Sequence, residues 1–263
     1  MRIIVKTLEE IEKMRVAGRL AAKVLNMISF YIKPGITTER IDDICHNYIV
    51  NNLRAIPAPL NYKGFPKSTC ISVNHVVCHG IPSKKILKDG DIVNIDIAVI
   101  KNGFFGDTSK MFLVGNNVSI LSKRLVQVSY ECLKKGIKQV KPGNTFYHIA
   151  KAVEKHAKLH NFSIVEDFCG HGVGKYFHED PQVLHYVPKN RENYAFLNIK
   201  FVPGMTFTIE PMINTGKKYT TILKDGWTVV TKDRSVSAQW EHTLAVTESG
   251  VEVLTKRPDE AFL

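Results

Sequence analysis

Gly90-Asp91-Ile92-Val93-Asn94-Ile95-Asp96-Ile97-Ala98-Val99 and Gly204-Met205-Thr206-Phe207-Thr208-Ile209-Glu210-Pro211-Met212-Ile213 read as one motif written twice. In each copy an acid follows an Ile inside an apolar run, six residues after a Gly. Such runs predict buried strands, and a carboxylate buried in a strand is costly unless something neutralises it. Two related half-domains would aim their acids at one central point, where a metal ion is the natural occupant.

The repeat extends in both directions. Lys33-Pro34-Gly35-Ile36-Thr37 with Ile41 recurs as Lys141-Pro142-Gly143-Asn144-Thr145 with Ile149 at a constant offset. Cys78-His79-Gly80-Ile81 is echoed by Gly170-His171-Gly172-Val173, with an offset that drifts as unequal loops require. Before the first Lys-Pro-Gly, Thr7 and Glu10 form a capping-box pattern. Apolar residues then recur at helical spacing to about Phe30. Ile41, Ile44, Cys45, Tyr48 and Ile49 predict a second helix, and Leu121, Leu125, Val128 and Cys132 predict a third. Strand signals fill 68–114, with a hairpin at Lys101-Asn102-Gly103. The order predicts one α+β domain over residues 1–263, made of two similar halves, roughly 1–115 and 116–263, with curved antiparallel sheet inside and helices outside.

A hairpin turn centred between Lys101 and Asn102 puts Asp96 directly opposite Asp107, close enough for two like charges to repel. Glu210 and Glu241 are the matching pair from the second half, on strands read as Thr206–Glu210 and Ser237–Val246. His171 offers a neutral nitrogen from a Gly-rich turn. Four carboxylates and one imidazole are too many anions for one ion and suit two divalent metals sharing bridging acids.

Composition is that of an ordinary globular chain: 263 residues, 44% hydrophobic and 23% charged. The early acids after Met1 do not suit a secretory signal, and no apolar run is long enough to span a bilayer. Five scattered cysteines without a Cys-x-x-Cys pair argue for a reducing compartment, with the cytoplasm expected, and against a zinc ribbon. Net charge is +11, from 36 Lys and Arg against 25 Asp and Glu. The lysines are dispersed, which suits a solvated surface better than a dedicated nucleic-acid face.

Asn94-Ile95-Asp96, Gly106-Asp107-Thr108-Ser109, Gly170-His171-Gly172-Val173-Gly174, Thr208-Ile209-Glu210-Pro211 and Gln239-Trp240-Glu241-His242 resemble the motifs of the type I methionine aminopeptidases. Cys78-His79-Gly80-Ile81-Pro82 and Tyr176-Phe177-His178-Glu179 extend the likeness to essentially the whole chain. The resemblance implies the duplicated pita-bread (creatinase/aminopeptidase) fold with pseudo-two-fold symmetry. It implies two divalent ions (Co, Mn, Fe, Zn or Ni), with Asp96 on one, His171 and Glu210 on the other, and Asp107 and Glu241 bridging. It also implies removal of the initiator methionine from nascent polypeptide N-termini with a small second residue, by attack of a metal-activated water on the first peptide bond.

His79, His178 and Glu210 would be the catalytic side chains: His79 donating toward the scissile amide, His178 toward the carbonyl oxygen, and Glu210 moving a proton. Tyr62, Phe65, Cys70, Phe177 and Trp227 would line the methionine cleft with the two histidines, where aromatic walls suit an unbranched thioether. Asn74, Val76 and Ser237 match a monovalent-cation site (Na or K) of some relatives. Lys63, His75, Pro59 and Trp240 depart from the usual pattern, the first three expected to border the cleft.

The expected state is a monomer with no membrane association and no stable nucleic-acid complex, its basic surface helping it reach ribosomes. Two alternatives differ in residues. Pita-bread peptidases acting on X-Pro bonds usually carry a further N-terminal domain, and non-catalytic relatives lack the ligands that are intact here.

Overall fold

The computed structural model describes residues 3–189 and 194–260. Helix α1 spans Leu8–Ile28 and starts where the capping box predicts: Thr7 Oγ1 accepts from the Glu10 amide, and the Glu10 carboxylate accepts from the Thr7 amide. Helix α2 is Thr38–Asn47, capped by Thr37. Strands β1 (Ile56–Pro57), β2 (Cys70–Val73), β3 (Val76–Cys78), β4 (Ile92–Lys101) and β5 (Phe104–Leu113) follow. Then come helices α3 (Ile120–Ile137) and α4 (Phe146–Leu159). Next are β6 (Ser163–Ile164), β7 (Gly170–Gly172), β8 (Glu179–Val183) and the short helix α5 (Tyr194–Leu197). The chain continues through β9 (Thr206–Ile209), β10 (Met212–Asn214), β11 (Thr220–Ile222) and β12 (Val229–Thr231). It ends with β13 (Ser237–Gln239), β14 (His242–Val246) and β15 (Val251–Val253).

Strand pairing among these elements is antiparallel. β4 pairs with β1, β2 and β5, and the largest sheet runs β15-β14-β9-β7-β8. Two three-stranded sheets, β13-β10-β6 and β11-β12-β3, complete the set. α1 and α2 bury Ala17, Ala21, Leu25, Ile41 and Cys45 against Val93, Ile95 and Ile97 of β4. α3 and α4 bury Leu125, Cys132, Ile149 and Val153 against Phe207, Ile209 and Ile213. Each helix pair thus covers a sheet carrying one copy of the acidic motif.

The sequence echo reappears in the backbone. Thr37 bridges Ile86 and Thr145 bridges Lys200, each partner lying four residues before a motif glycine. Those glycines, Gly90 and Gly204, both have positive φ (99° and 90°). Their amides bond Val114 O and Val246 O at 2.9 Å, while the Val114 and Val246 amides return bonds to Asp91 O and Met205 O at 2.9 Å. With helices outside antiparallel sheet, this is the α+β pita-bread architecture implied by the resemblance.

Two local expectations need correction. The hairpin loop is Asn102-Gly103, one residue later than the turn centre read from the sequence, because these two residues take the positive φ (52° and 76°) that a tight two-residue turn requires. Asp96 therefore pairs with Ser109 and Asp107 with Ala98. The two acids are diagonal neighbours on one face rather than direct partners. Glu210 and Glu241 also sit just outside strands, in the breaks between β9 and β10 and between β13 and β14. Since β10 pairs β13 and β9 pairs β14, both chains cross from one sheet to another at the same level.

Candidate metal centre

Each half contributes its acids from a fixed backbone. Thr243 Oγ1 accepts from the Asp107 amide (3.2 Å) and donates to Asp107 O (2.7 Å), stitching β5 to β14. One turn of the ladder away, Thr108 Oγ1 donates to Glu241 O (2.7 Å), and the Glu241 amide donates to Ser109 O (3.2 Å). Asp107 and Glu241 are therefore held by hydrogen bonds that join β5 to the β13–β14 segment. His171 enters on β7, pressed between β8 and β9. A Cβ at Gly170 would lie 2.5 Å from Thr208 O, and one at Gly172 would lie 2.2 Å from Asp180 O, so only glycine fits on either side of the histidine.

Asp96, Asp107, His171, Glu210 and Glu241 all line one cavity of about 690 Å³. One ligand atom each of Asp107, His171 and Glu241 lies within 4.8 Å of the others, and His171 Nε2 is 3.6 Å from both Asp107 Oδ2 and Glu210 Oε1. His171 Nδ1 donates to Gly172 O (2.9 Å), which turns Nε2 toward the acids. Glu210 is held by Thr208 Oγ1 (2.7 Å) and Gln239 Nε2 (3.2 Å), and its amide donates to His185 Nε2 (3.1 Å). With Asp107, Glu210 and Glu241 only 3–8% exposed, this is a dense buried set of anions.

The electrostatics follow. Two unit charges at such separations repel by roughly 3–4 kcal/mol at an effective dielectric of 20. Burial, reinforced by the Asp107 and Glu210 charges, pushes Asp96 well above the usual carboxylate range. Burial and the same two neighbours do likewise for Glu241. Burial raises Glu210 to about 7 despite the opposing pull of His171. Burial alone would lower His171, but its contacts with Asp107 and Glu210 outweigh it and raise the imidazole. Protons are a poor filling for such a site. Carboxylate oxygens with one imidazole nitrogen are a donor set that fits divalent cations, so the residues present fit the metals that the sequence implies.

The remaining cavity wall holds every residue read as lining the methionine cleft: Tyr62, Phe65, Cys70, His79, Phe177, His178 and Trp227. Phe65 meets Trp227 edge-on at 5.2 Å, Tyr62 meets Phe177 at 4.9 Å, and His79 stands edge-on to Trp227 at 6.2 Å. The Tyr62 hydroxyl is 2.9 Å from His178 Nδ1, and with the phenol donating, the His178 proton sits on Nε2. Burial, then the His171 and Lys63 charges, lowers His178 to about 3, and burial lowers His79, so both are neutral donors near pH 7. Cys70 is a buried thiol pushed well up by burial and by Asp96, not a nucleophile.

Of the departures, Pro59 and Lys63 line the cavity. Against expectation, His75 is not among the lining residues; its Nε2 faces Arg234 Nη1 at 2.9 Å. Trp240 Nε1 donates to Val126 O (3.1 Å) and packs against Tyr130.

Asn74, Val76 and Ser237 lie apart from the cavity lining. Asn74 has φ of 54°, and its carbonyl accepts from the Ser237 amide at 2.9 Å. Ser237 Oγ is buried without a hydrogen-bond partner, a polar atom left over for something else to satisfy.

Sequence reading missed Phe168, Cys169 and Met212 in the cavity wall and His185 beneath Glu210. Cys169 and Met212 carry a signal in hindsight, adjacent to Gly170-His171 and two residues beyond Glu210. His185 carries none, because its role arises only when the chain after β8 folds back to meet the Glu210 amide at the end of β9.

The model of metallopeptidase family M24 matches residues 12–248. The methionine aminopeptidase of Escherichia coli K12 is 57% identical over 263 residues, covering 100% of this chain and 97% of that protein. The methionine aminopeptidase of Haemophilus influenzae is 55% identical over 261 residues, covering 99% and 95%. Among solved structures, the methionine aminopeptidase of Rickettsia prowazekii superposes with a TM-score of 0.92 at 50% identity, covering 97% of this chain and 100% of that one. The prolidase of Pyrococcus furiosus, at 23% identity, TM-score 0.71, 96% of this chain and 65% of its own, shares the fold alone. The acidic motifs, the two-sheet crossing that carries them and these likenesses agree: the chain belongs to metallopeptidase family M24, with the methionine aminopeptidases.

Proposed function

We propose that this chain is a methionyl aminopeptidase that removes the initiator methionine from nascent proteins, preferring a small second residue. One observation carries the reading: four acids and His171 converge on the floor of a cavity whose wall is the aromatic and thiol set Tyr62, Phe65, Cys70, Phe177 and Trp227. Asp96 would hold one divalent ion, His171 and Glu210 the other, with Asp107 and Glu241 shared between them. When bound, such ions polarise the scissile carbonyl and acidify water.

The chain's own groups do the rest. The aromatic walls take the unbranched thioether, and Cys70 in the same wall adds a soft contact. His178 Nε2–H donates toward the carbonyl oxygen as it gains charge, and His79 donates toward the scissile amide. Glu210, set beside His171 at the site, would take a proton and return it. The free α-amine of the substrate lies next to Asp96, which limits cleavage to the first bond.

Asn74, Val76 and Ser237 form a monovalent-cation site, a reading supported by the unpartnered Ser237 Oγ. The catalytic unit is one domain of two halves, roughly 1–115 and 116–263. It works as a cytoplasmic monomer, and its +11 charge assists encounter with ribosomes. No helix among the described residues is long and apolar enough to cross a membrane.

The deciding experiment is turnover of metal-stripped protein on Met-Ala-Ser and on Ala-Pro peptides, titrated anaerobically with Co, Mn, Fe, Zn and Ni. Restored cleavage of Met-Ala-Ser is expected. Cleavage of Ala-Pro peptides alone would reassign the chain to X-Pro hydrolysis.

A further inference from the structure

A second cluster of metal-ligating side chains lies outside the cavity, on the α3–α4 helix pair. One ligand atom each of Glu131, His156 and His160 lies within 4.8 Å of the other two, and all three residues are half-buried. His156 in the last turn of α4 and His160 at its C-cap are four apart, and their rings stand 4.7 Å apart. Glu131 reaches across from α3, with Oε2 at 2.7 Å from His156 Nε2. Its other oxygen, Oε1, accepts from Gln127 Nε2 at 2.9 Å, which steers the carboxylate. Arg124 Nη2 donates to His160 O (3.2 Å), fixing the last turn that carries the second imidazole.

We propose that Glu131, His156 and His160 form a separate site for one divalent transition-metal ion, of the zinc or nickel class. Two imidazoles and one carboxylate suit those ions, whereas magnesium and calcium require more oxygen ligands. Three protein ligands leave a position toward solvent for water. The negative end of the α4 dipole favours a cation there. A simple Glu131–His156 ion pair needs only one imidazole, whereas His160 brings a second ring to the same carboxylate. Because the ligands come from both helices, a bound ion would clip α3 to α4 and stabilise the native state by mass action.

The test compares the full chain with the His156→Ala/His160→Ala variant, dialysed at low micromolar free zinc and analysed for metal content. The wild type is expected to hold one zinc more per chain than the variant. Zinc titration of the wild type should also shift the ring resonances of His156 and His160. Turnover of Met-Ala-Ser at saturating metal should be the same for both proteins. Should the double variant fold poorly, Glu131→Gln serves as the second comparison and should lose zinc at this site alone. Equal zinc content in wild type and variants, or unmoved His156 and His160 resonances, overturns the proposal.

Discussion

Asp107 and Glu241 are the residues on which both halves depend. They are held by reciprocal bonds to Thr243, Thr108 and Ser109, so their carboxylates stay together even though like charge drives them apart. If each is shared between two ions, as proposed, Asp107→Ala or Glu241→Ala should lower divalent-metal content and reduce Met-Ala-Ser turnover to background. His79 is a different case. It touches no acid of the set by hydrogen bond and faces Phe168 and Trp227 instead. His79→Ala should therefore keep its full metal complement and lose about 10²-fold or more in turnover, as removal of a single positioned donor does. Metal analysis beside a turnover assay separates the two classes. Full activity in His79→Ala would remove it from the mechanism.

At the scale of elements, the loop that carries Phe177 and His178 is tied to the N-terminal arm rather than to the sheets alone. Lys6 pairs with Glu179, each side chain 3% exposed, and Lys6 also donates to Ile4 O (3.0 Å). Glu179 Oε1 accepts from the Tyr176 amide (3.1 Å). Gly174 makes room, since a Cβ there would lie 2.4 Å from Lys6 Cε. Breaking one side of a buried pair leaves a stranded charge, so Lys6→Met should cost about 3–5 kcal/mol. It should also reduce kcat/KM while metal content is unchanged, because His178 loses its support. Lys6→Met/Glu179→Gln should recover much of the stability, measured by denaturant unfolding; an unaltered midpoint in Lys6→Met would refute the role. Nothing in the sequence announces this pair: Glu179 stands in the Tyr176-Phe177-His178-Glu179 motif, but its partner Lys6 is distant and stands in none. The repeat, by contrast, was legible because Gly90 and Gly204 need positive φ and the runs after them need burial, constraints that restrict residue type locally. The register of β4 with β5 was misread by one turn position because Lys101-Asn102 and Asn102-Gly103 both look like turns. Only the pair that takes positive φ closes the hairpin.

For the whole molecule, stability, pH and metal are linked through the same buried acids. In the metal-free protein Glu210 titrates at about 7 because it is buried, and Asp96 and Glu241 are raised well above the ordinary value for the same reason. His171 is raised too, by Asp107 and Glu210 against the effect of burial. All four bind protons more tightly when folded than when unfolded. Their contribution is complete below the unfolded values and is lost as pH rises through the folded ones. Burial depresses His178 and His185 to about 3, so they act in the opposite sense, losing stability as pH falls below the ordinary histidine value of 6.5. Between about pH 4.5 and 6.5 the two groups oppose each other; above about pH 6.5 only the first remains. The Tm of metal-free protein should therefore fall between about pH 6.5 and pH 8. Divalent ions satisfy the ionised carboxylates and displace the proton from His171, so the Tm gain on adding manganese should be larger at pH 8 than at pH 6.5. A gain that is equal or smaller at the higher pH would mean that mutual repulsion among Asp96, Asp107, Glu210 and Glu241 is not what the metal relieves.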